Sequence, residues 1–135
     1  MSESILAIDY GDKRVGIARA GTIARLPEPL ITLENNAKLL DRIQQLIDEE
    51  DVSVVVVGLP RSLEGVDTDQ TRKTREFIEQ LRALSVEVVE QDEAVTSENA
   101  LSELHQSRKD FDKSEVDQLA AVYILQDYLT EAGDA

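Results

Sequence analysis

Two short apolar runs near the start of the chain are separated by turn-forming residues. Residues 5–8 and 15–18 are almost wholly apolar, and Tyr-Gly-Asp-Lys at 10–13 lies between them. This pattern predicts a β-hairpin. A further, irregular strand is predicted over residues 23–33. Its two prolines favour an edge position, because proline cannot donate a hydrogen bond to a neighbouring strand.

The middle of the chain changes from helical to strand periodicity. Asn35 and Asn36 are good helix caps, and apolar residues then recur every three or four positions, which predicts an amphipathic helix. These apolar positions are Leu39, Leu40, Ile43, Leu46 and Ile47. Residues 52–57 are a valine-rich run closed by Gly58. Such a run is typical of a central strand that is buried on both faces.

The second half of the chain repeats this alternation. Asp67 and Gln70 resemble a capping box. The helix that follows them carries apolar residues on one face and arginines on the other. Residues 86–89 predict another strand, which ends at the acidic pair Asp92 and Glu93.

Two helices are predicted in the last third. Thr96 or Ser97 caps the first, and the second runs over residues 114–129, with residues 131–135 as a frayed tail. The alternation of hairpin, helix and strand predicts a mixed sheet of about five strands with helices on both faces. The predicted fold class is therefore α/β with three layers, in a single domain over residues 1–135.

Acidic residues outnumber basic residues by two to one. The chain has 28 Asp and Glu against 14 Lys and Arg, and its net charge is −14. Proteins that bind nucleic acid are usually basic, so this balance argues against such a partner unless the basic residues are concentrated locally. They do cluster, at Lys13 and Arg14, at residues 72–75 and at residues 108–113.

The chain contains no cysteine. Disulfides and thiolate sites are excluded, so a metal ion would need carboxylate oxygens or the lone His105. The first residues lack the basic and apolar segments of a secretion signal, and no apolar run reaches the roughly 20 residues that span a bilayer. We therefore expect a cytoplasmic protein without a membrane segment.

Three acidic side chains stand where charge is unusual. Asp9 and Glu93 each close a predicted strand, and Asp117 lies at the margin of the apolar face of the last helix. Three carboxylates that converge from three elements repel one another unless a cation joins them. Structural alternatives stay open, since Asp9 can cap the following turn and Glu93 can favour the next helix N-terminus.

Oxygen ligands without Cys or His select hard cations, so the expected ions are Mg²⁺ or Mn²⁺. Such ions promote phosphodiester hydrolysis. Five basic residues are candidates for phosphate contacts, namely Lys13, Arg14, Arg61 in the glycine-flanked loop 58–65, Arg72 and Arg75. A solvated face, or a tight loop without a ligand, is the alternative explanation of the same residues.

Four groups of residues carry a resemblance to a known family. They are residues 6–11 with 14–18, residues 57–60 with Gly65, the acidic pair at 92–93, and Lys113 with residues 116–121 and 124–125. In these motifs the chain resembles the YqgF-like family, described both as Holliday junction resolvases and as pre-16S rRNA nucleases. The resemblance implies an RNase H-like fold and a metal-dependent nuclease, with Asp9, Glu93 and Asp117 as catalytic residues and metal ligands.

The same resemblance implies partners for the chain, and it also shows one position at which the chain differs from the family. The substrate would be ribosomal RNA precursor or branched DNA, and the protein would be a monomer or a homodimer. Gly11, Thr96 and Lys113 join the basic residues as expected substrate contacts. However, the family usually follows its Asp-Glu pair with arginine, and this chain has Ala94 there. We therefore expect the replacement to affect phosphate positioning or the activity itself.

Two other functions fit parts of the sequence. A chain that keeps the fold but binds nucleic acid or a protein without cleavage is favoured by the missing arginine and the net charge of −14. A nucleotide-binding fragment of the actin-like ATPase type is suggested by Asp9, Gly11 and Gly16, which suit a phosphate-binding hairpin. The length of the chain counts against it, because those folds place the nucleotide between two domains.

Overall fold

The computed structural model describes residues 3–60, 66–93 and 113–133. Within these residues the elements are, in chain order, β1 (Ser4–Tyr10), β2 (Arg14–Gly21), β3 (Glu28–Glu34), α1 (Leu39–Glu49), β4 (Val52–Pro60), α2 (Asp69–Leu81), β5 (Glu87–Glu93) and α3 (Lys113–Gly133). The helix predicted after Thr96 or Ser97 lies outside the described residues. In the part of the chain that is described, no helix has the length and apolar character needed to cross a membrane.

The five strands form one mixed sheet in the order β3-β2-β1-β4-β5. β1 pairs with β2, and β2 with β3, in antiparallel fashion, whereas β4 runs parallel to both β1 and β5. The valine-rich strand is central as predicted, and its residues Val55, Val56 and Val57 are fully buried. The predicted hairpin, the mixed sheet and the edge position of β3 are therefore confirmed.

Alternation along the strands gives the sheet two different faces. Large side chains such as Leu6, Ile8 and Ile17 face α1 and α2. Small side chains such as Ala7 and Ala18 face α3, which packs on the opposite side. Helices thus cover both faces, and the predicted three-layer α/β fold is confirmed.

The polar residues before α1 act differently from the prediction. The helix begins at Leu39, and no side chain caps its N-terminus. Asn36 Oδ1 instead accepts a hydrogen bond from the Lys38 amide at 2.9 Å. Asn35 Nδ2 donates to the Gly11 carbonyl at 2.7 Å. The prediction that these asparagines cap the helix is wrong, because their side chains shape the connection from β3 and hold the β1–β2 turn.

The capping box of α2 lies one residue later than predicted. Thr68 Oγ1 accepts from the Thr71 amide, and Thr71 Oγ1 accepts from the Thr68 amide. The predicted members have other partners: Asp67 pairs with Arg75, and Gln70 Nε2 donates to the Tyr10 carbonyl. Both Gln70 and the threonine box thereby fasten α2 to the carboxyl ends of the strands.

Two boundaries also differ from the predictions. β3 begins at Glu28, and Ile23, which was predicted to be in the strand, is 81% exposed. Pro29 lies at the shift in register between β2 and β3, where a missing donor is tolerated. The helix α3 continues beyond the predicted end, because Glu131 accepts a 2.7 Å hydrogen bond from the buried Gln91 of β5.

Candidate active site

The candidate acids of the sheet lie at one edge, where the parallel strands β1, β4 and β5 have their carboxyl ends. Ile8 is aligned with Val57, so Asp9 follows at the level of Gly58. Glu93 is the last residue of β5 and is aligned with Pro60. In open α/β sheets this edge is the usual position of a ligand site. The two strand-end acids therefore reach the edge that the sequence predicts.

The third acid arrives at this edge through an unusually close contact between α3 and β2. Gly16 is paired with Asp9 in the β1–β2 ladder. A Cβ atom on Gly16 would lie only 2.0 Å from the backbone oxygen of Asp117 and 2.9 Å from its Cβ. Because no side chain fits in that space, glycine is required there. The structure thus brings Asp117 beside Asp9, as the sequence predicts.

The electrostatics of Asp9 reflect this arrangement. Burial raises the pKa of Asp9, and the neighbouring Asp117 carboxylate adds to that effect, so that the pKa reaches about 7. Near neutral pH the side chain therefore exchanges between its protonated and its ionised form. The alternative that Asp9 caps the turn loses one partner, since the Gly11 amide donates to the Arg14 carbonyl at 3.1 Å.

The donor chemistry fits a hard divalent cation. Asp9 and Asp117 offer carboxylate oxygens, which Mg²⁺ and Mn²⁺ prefer. The side chain of Glu93 is not among those described, although its backbone ends at the same edge. Over residues 3–60, 66–93 and 113–133, no group of three acidic or histidine side chains is arranged as a metal site. Of the three expected ligands, only Asp9 and Asp117 have side chains in the described part of the chain.

Arg14 has a role in the structure that sequence reasoning missed. Its Nε donates to Asp117 Oδ2 at 2.7 Å, so the side chain expected to contact substrate holds one of the acids. The signal was present in the sequence, because Arg14 and Gly16 lie two positions apart on one strand and therefore share a face. Recognising it required knowing that α3 covers that face.

The other predicted substrate contacts lie around this edge to different degrees. Lys13 is exposed in the β1–β2 turn beside Gly11. Arg72 and Arg75 are on the first turns of α2, where they form ion pairs with Asp69 and Asp67. The neighbouring Lys73 reaches Asp12 of the turn at 3.3 Å. Arg61 and Thr96 lie outside the described residues, and Lys113 is the first residue of α3, with a side chain that is not described.

Protein atoms lie close to Gly11 and Gly16 of the hairpin. The space above Gly16 is filled by the backbone of Asp117, and a Cβ atom on Gly11 would lie 2.6 Å from the Arg14 carbonyl oxygen. The contact over Gly16 therefore leaves no room for a phosphate on that side of β2. This packing argues against the nucleotide-binding interpretation of the same residues.

Comparison with known proteins identifies the family. A family model described as RuvX, Holliday junction resolvase, matches residues 3–131. The chain belongs to this family. Among the relatives of this RuvX-family chain are proteins named "Putative pre-16S rRNA nuclease" from Sulfurihydrogenibium sp. and Fusobacterium nucleatum. Both are 38% identical to it; the first match covers 93% of this chain and 88% of the relative, and the second covers 92% and 94%.

Solved structures share the fold at much lower sequence identity. Thermus thermophilus RuvC in complex with a Holliday junction substrate has a TM-score of 0.56 at 11% identity, covering 97% of this chain and 96% of that one. The fowlpox virus resolvase bound to Holliday junction DNA has a TM-score of 0.55 at 10% identity, with both chains covered completely. The RuvX-family chain therefore has the RNase H-like fold that its motifs implied.

Proposed function

We propose that this chain is a Mg²⁺- or Mn²⁺-dependent nuclease that hydrolyses phosphodiester bonds in the maturation of 16S rRNA. The observation that carries the proposal is that Asp9 and Asp117 lie next to each other at the carboxyl ends of the parallel strands. Burial and the Asp117 carboxylate raise the pKa of Asp9 to about 7. Glu93, at the end of β5, is proposed as the third ligand. Family membership and the names of the relatives support the reaction class.

The residues divide the work between cation and substrate. Asp9, Glu93 and Asp117 would hold the divalent ion, which when bound supplies an activated water and stabilises the leaving oxygen. The phosphate contacts are proposed to come from Gly11, Lys13, Arg14, Arg61, Arg72, Arg75, Thr96 and Lys113. A cytoplasmic location is proposed as well, and the absence of cysteine is consistent with it.

The test is a cleavage assay in which the metal ion is removed by chelator and, separately, a metal-binding carboxylate is removed by mutation. The substrate is a single-stranded RNA that spans the 5′ end of 16S rRNA, with Mn²⁺, with Mg²⁺ or with chelator. We expect cleavage with either ion, none with chelator, and none above background for Asp9→Asn. Asp41→Asn is the matched control, because it removes the same charge from the exposed first turn of α1. Equal cleavage by wild type and Asp9→Asn would refute the site.

The substrate itself is decided in the same assay. The relatives are named for pre-16S rRNA, whereas both resolvase structures contain Holliday junction DNA. A four-way DNA junction is therefore offered in parallel with the RNA. Cleavage of the junction alone would overturn the proposed RNA substrate while leaving the metal-dependent chemistry in place.

A second candidate is an RNase H-like protein that binds nucleic acid without cutting it. It is favoured by Ala94, which replaces the expected arginine, and by the net charge of −14. Ala94 lies outside the described residues. This candidate predicts that wild-type protein retards the RNA in a binding assay but leaves it intact in the presence of Mn²⁺.

A further inference from the structure

The ion pair between Arg14 and Asp117 joins β2 to α3 inside the candidate active site. Arg14 Nε and Asp117 Oδ2 are 2.7 Å apart, and the two side chains are 38% and 18% exposed. A charge-assisted hydrogen bond in such a partly enclosed place is stronger than the fully solvated pairs elsewhere on the surface. Asp117 is therefore held twice by β2, through its backbone on Gly16 and through its carboxylate on Arg14.

These two contacts restrict different motions of Asp117. The fit over Gly16 fixes the backbone, because the helix has no room to move inward. The carboxylate can still rotate about its side-chain bonds, and repulsion from an ionised Asp9 would turn it away from that side chain. The hydrogen bond from Arg14 opposes that rotation.

We propose that Arg14 is a positioning residue, which holds Oδ2 of Asp117 and so fixes the orientation of the carboxylate that would share a cation with Asp9. This inference rests on the proposed function, in which Asp9 and Asp117 are metal ligands. It differs from the phosphate contact assigned to Arg14 above, because here Arg14 acts through another side chain. Partners that orient metal ligands are typically worth 10- to 100-fold in metal affinity.

The first test needs no metal. Three-bond NMR couplings of Asp117 in chelator report whether its side chain occupies one rotamer or an average of several. We expect one rotamer in wild type and averaging in Arg14→Gln. Arg82→Gln is the control, since Arg82 pairs with Glu79 and Glu90 at the other end of α2. Averaged couplings in wild type, or a single rotamer in Arg14→Gln, would overturn the proposal.

The second test is the dissociation constant for Mn²⁺, measured by calorimetry without substrate. We expect Arg14→Gln to raise it about tenfold or more. Loss of a positive charge alone would strengthen the binding of a cation, so a weaker affinity identifies lost orientation. Arg14→Lys, which keeps the charge, should recover part of the affinity, and Arg82→Gln should leave it unchanged. An unchanged or tighter constant in Arg14→Gln would contradict the proposal.

A double-mutant cycle shows whether Arg14 acts through Asp117. In the Asp117→Asn background, the further change Arg14→Gln should no longer weaken Mn²⁺ binding, because only the effect of its charge is left, whereas independent roles would give additive losses. Failure of the proposed function has a different signature. In that case Asp9→Asn would bind Mn²⁺ as well as wild type does, while the NMR couplings of Asp117 would still decide the role of Arg14.

Discussion

The candidate site has an acidic half and a basic half that are built in opposite ways. The acidic half, Asp9 and Asp117, is partly enclosed between the sheet and α3, and its geometry depends on backbone packing over a glycine. The basic half consists of Arg72, Lys73 and Arg75 at the start of α2. Arg72 and Lys73 are exposed and Arg75 is half-buried, and each of the three forms an ion pair with an acidic side chain.

This difference matches the roles that we propose for the two halves. Carboxylates that share a cation need fixed positions, and small misplacements of catalytic groups are costly. Cations that follow a phosphate backbone act through charge, which tolerates movement. We therefore expect substitutions in the acidic half to change the reaction strongly, and substitutions in the basic half to change affinity modestly.

The largest effect is expected at the contact between Gly16 and Asp117. In Gly16→Ala the new Cβ would meet the Asp117 backbone oxygen at 2.0 Å, so α3 must move outward and carry Asp117 away from Asp9. A displacement of about 1 Å can cost a hundredfold in rate. We expect cleavage to fall by at least about that factor in single-turnover assays.

Gly58→Ala is the matched control for this substitution. Its Cβ would meet Cδ1 of Ile124 at 2.4 Å, and that atom is the end of a flexible side chain rather than backbone. Overpacking of this kind costs about 1 to 3 kcal/mol of stability, and Ile124→Val should restore it. A comparable loss of cleavage in both glycine variants would show that activity depends on the packing of α3 in general, rather than on the contact between Asp117 and Gly16.

The next effect is a pH dependence of stability that is specific to Asp9. Its pKa is raised in the folded state from 3.8 to about 7, so the folded protein binds a proton more tightly than the unfolded chain. Stability in chelator should therefore fall as the pH rises from about 4 to 7, by up to a few kcal/mol, and then level off. Asp9→Asn should remove this loss of stability. Its free energy of unfolding in urea, relative to that of the wild type, should therefore increase over the same pH range.

Asp117→Asn separates repulsion from packing in the same experiment. It also relieves the repulsion on Asp9, but it gives up the charged partner of Arg14. We therefore expect a smaller stabilisation than for Asp9→Asn at pH 8. A larger one would mean that the Arg14 ion pair contributes little to holding α3.

The sequence predicted where the two acids of the acidic half lie in the fold, whereas their catalytic and metal-binding roles stay predictions. Asp9 ends an apolar strand, and parallel strands place their ends at one edge, so topology alone brings it toward Glu93. The alanines beside Asp117 indicated that α3 lies close to the sheet. The contact between the Asp117 backbone and Gly16 could not be predicted from the sequence, because it depends on the position of a helix that comes about a hundred residues later.

Local polar roles were harder to predict than topology. Asp67 and Gln70 fit a capping box in sequence, but Thr68 and Thr71 form it. One residue decides the outcome, because Thr71 also donates to the Pro60 carbonyl at the end of β4. A tertiary contact thus selects between two sequence patterns of similar quality.

A smaller effect is expected where the family arginine is missing. If that arginine holds a substrate phosphate, Ala94→Arg should strengthen RNA binding about tenfold or more, because a charged hydrogen bond is worth about 1.5 to 3 kcal/mol. The log-log salt slope should steepen by about 0.7 to 0.9. Ala94→Lys, which adds charge without the planar fork, should reproduce the slope but less of the affinity.

Unchanged affinity and slope in Ala94→Arg would mean that another cation already reaches the phosphate. Arg61, Arg72 and Arg108 are the residues available for that role. Alanine at position 94 would then be no functional deficit, and the case for a protein that binds without cleavage would lose its main support.

The smallest effect is expected in the basic half itself. Arg75 is 40% exposed and paired with Asp67, and pairs that are this open to solvent contribute about 0 to 1 kcal/mol, so Arg75→Gln should barely change the unfolding midpoint. If Arg75 contacts a phosphate, the substitution should flatten the log-log salt slope of RNA binding by about 0.7 to 0.9 and weaken affinity by no more than about fivefold.

Two further variants serve as controls for Arg75→Gln. Asp67→Asn should steepen the slope and strengthen RNA binding, because the phosphate no longer has to displace a carboxylate. Arg82→Gln, on the same helix but far from its first turn, should leave the slope unchanged. Equal slopes in all three variants would remove Arg75 from the proposed phosphate contacts.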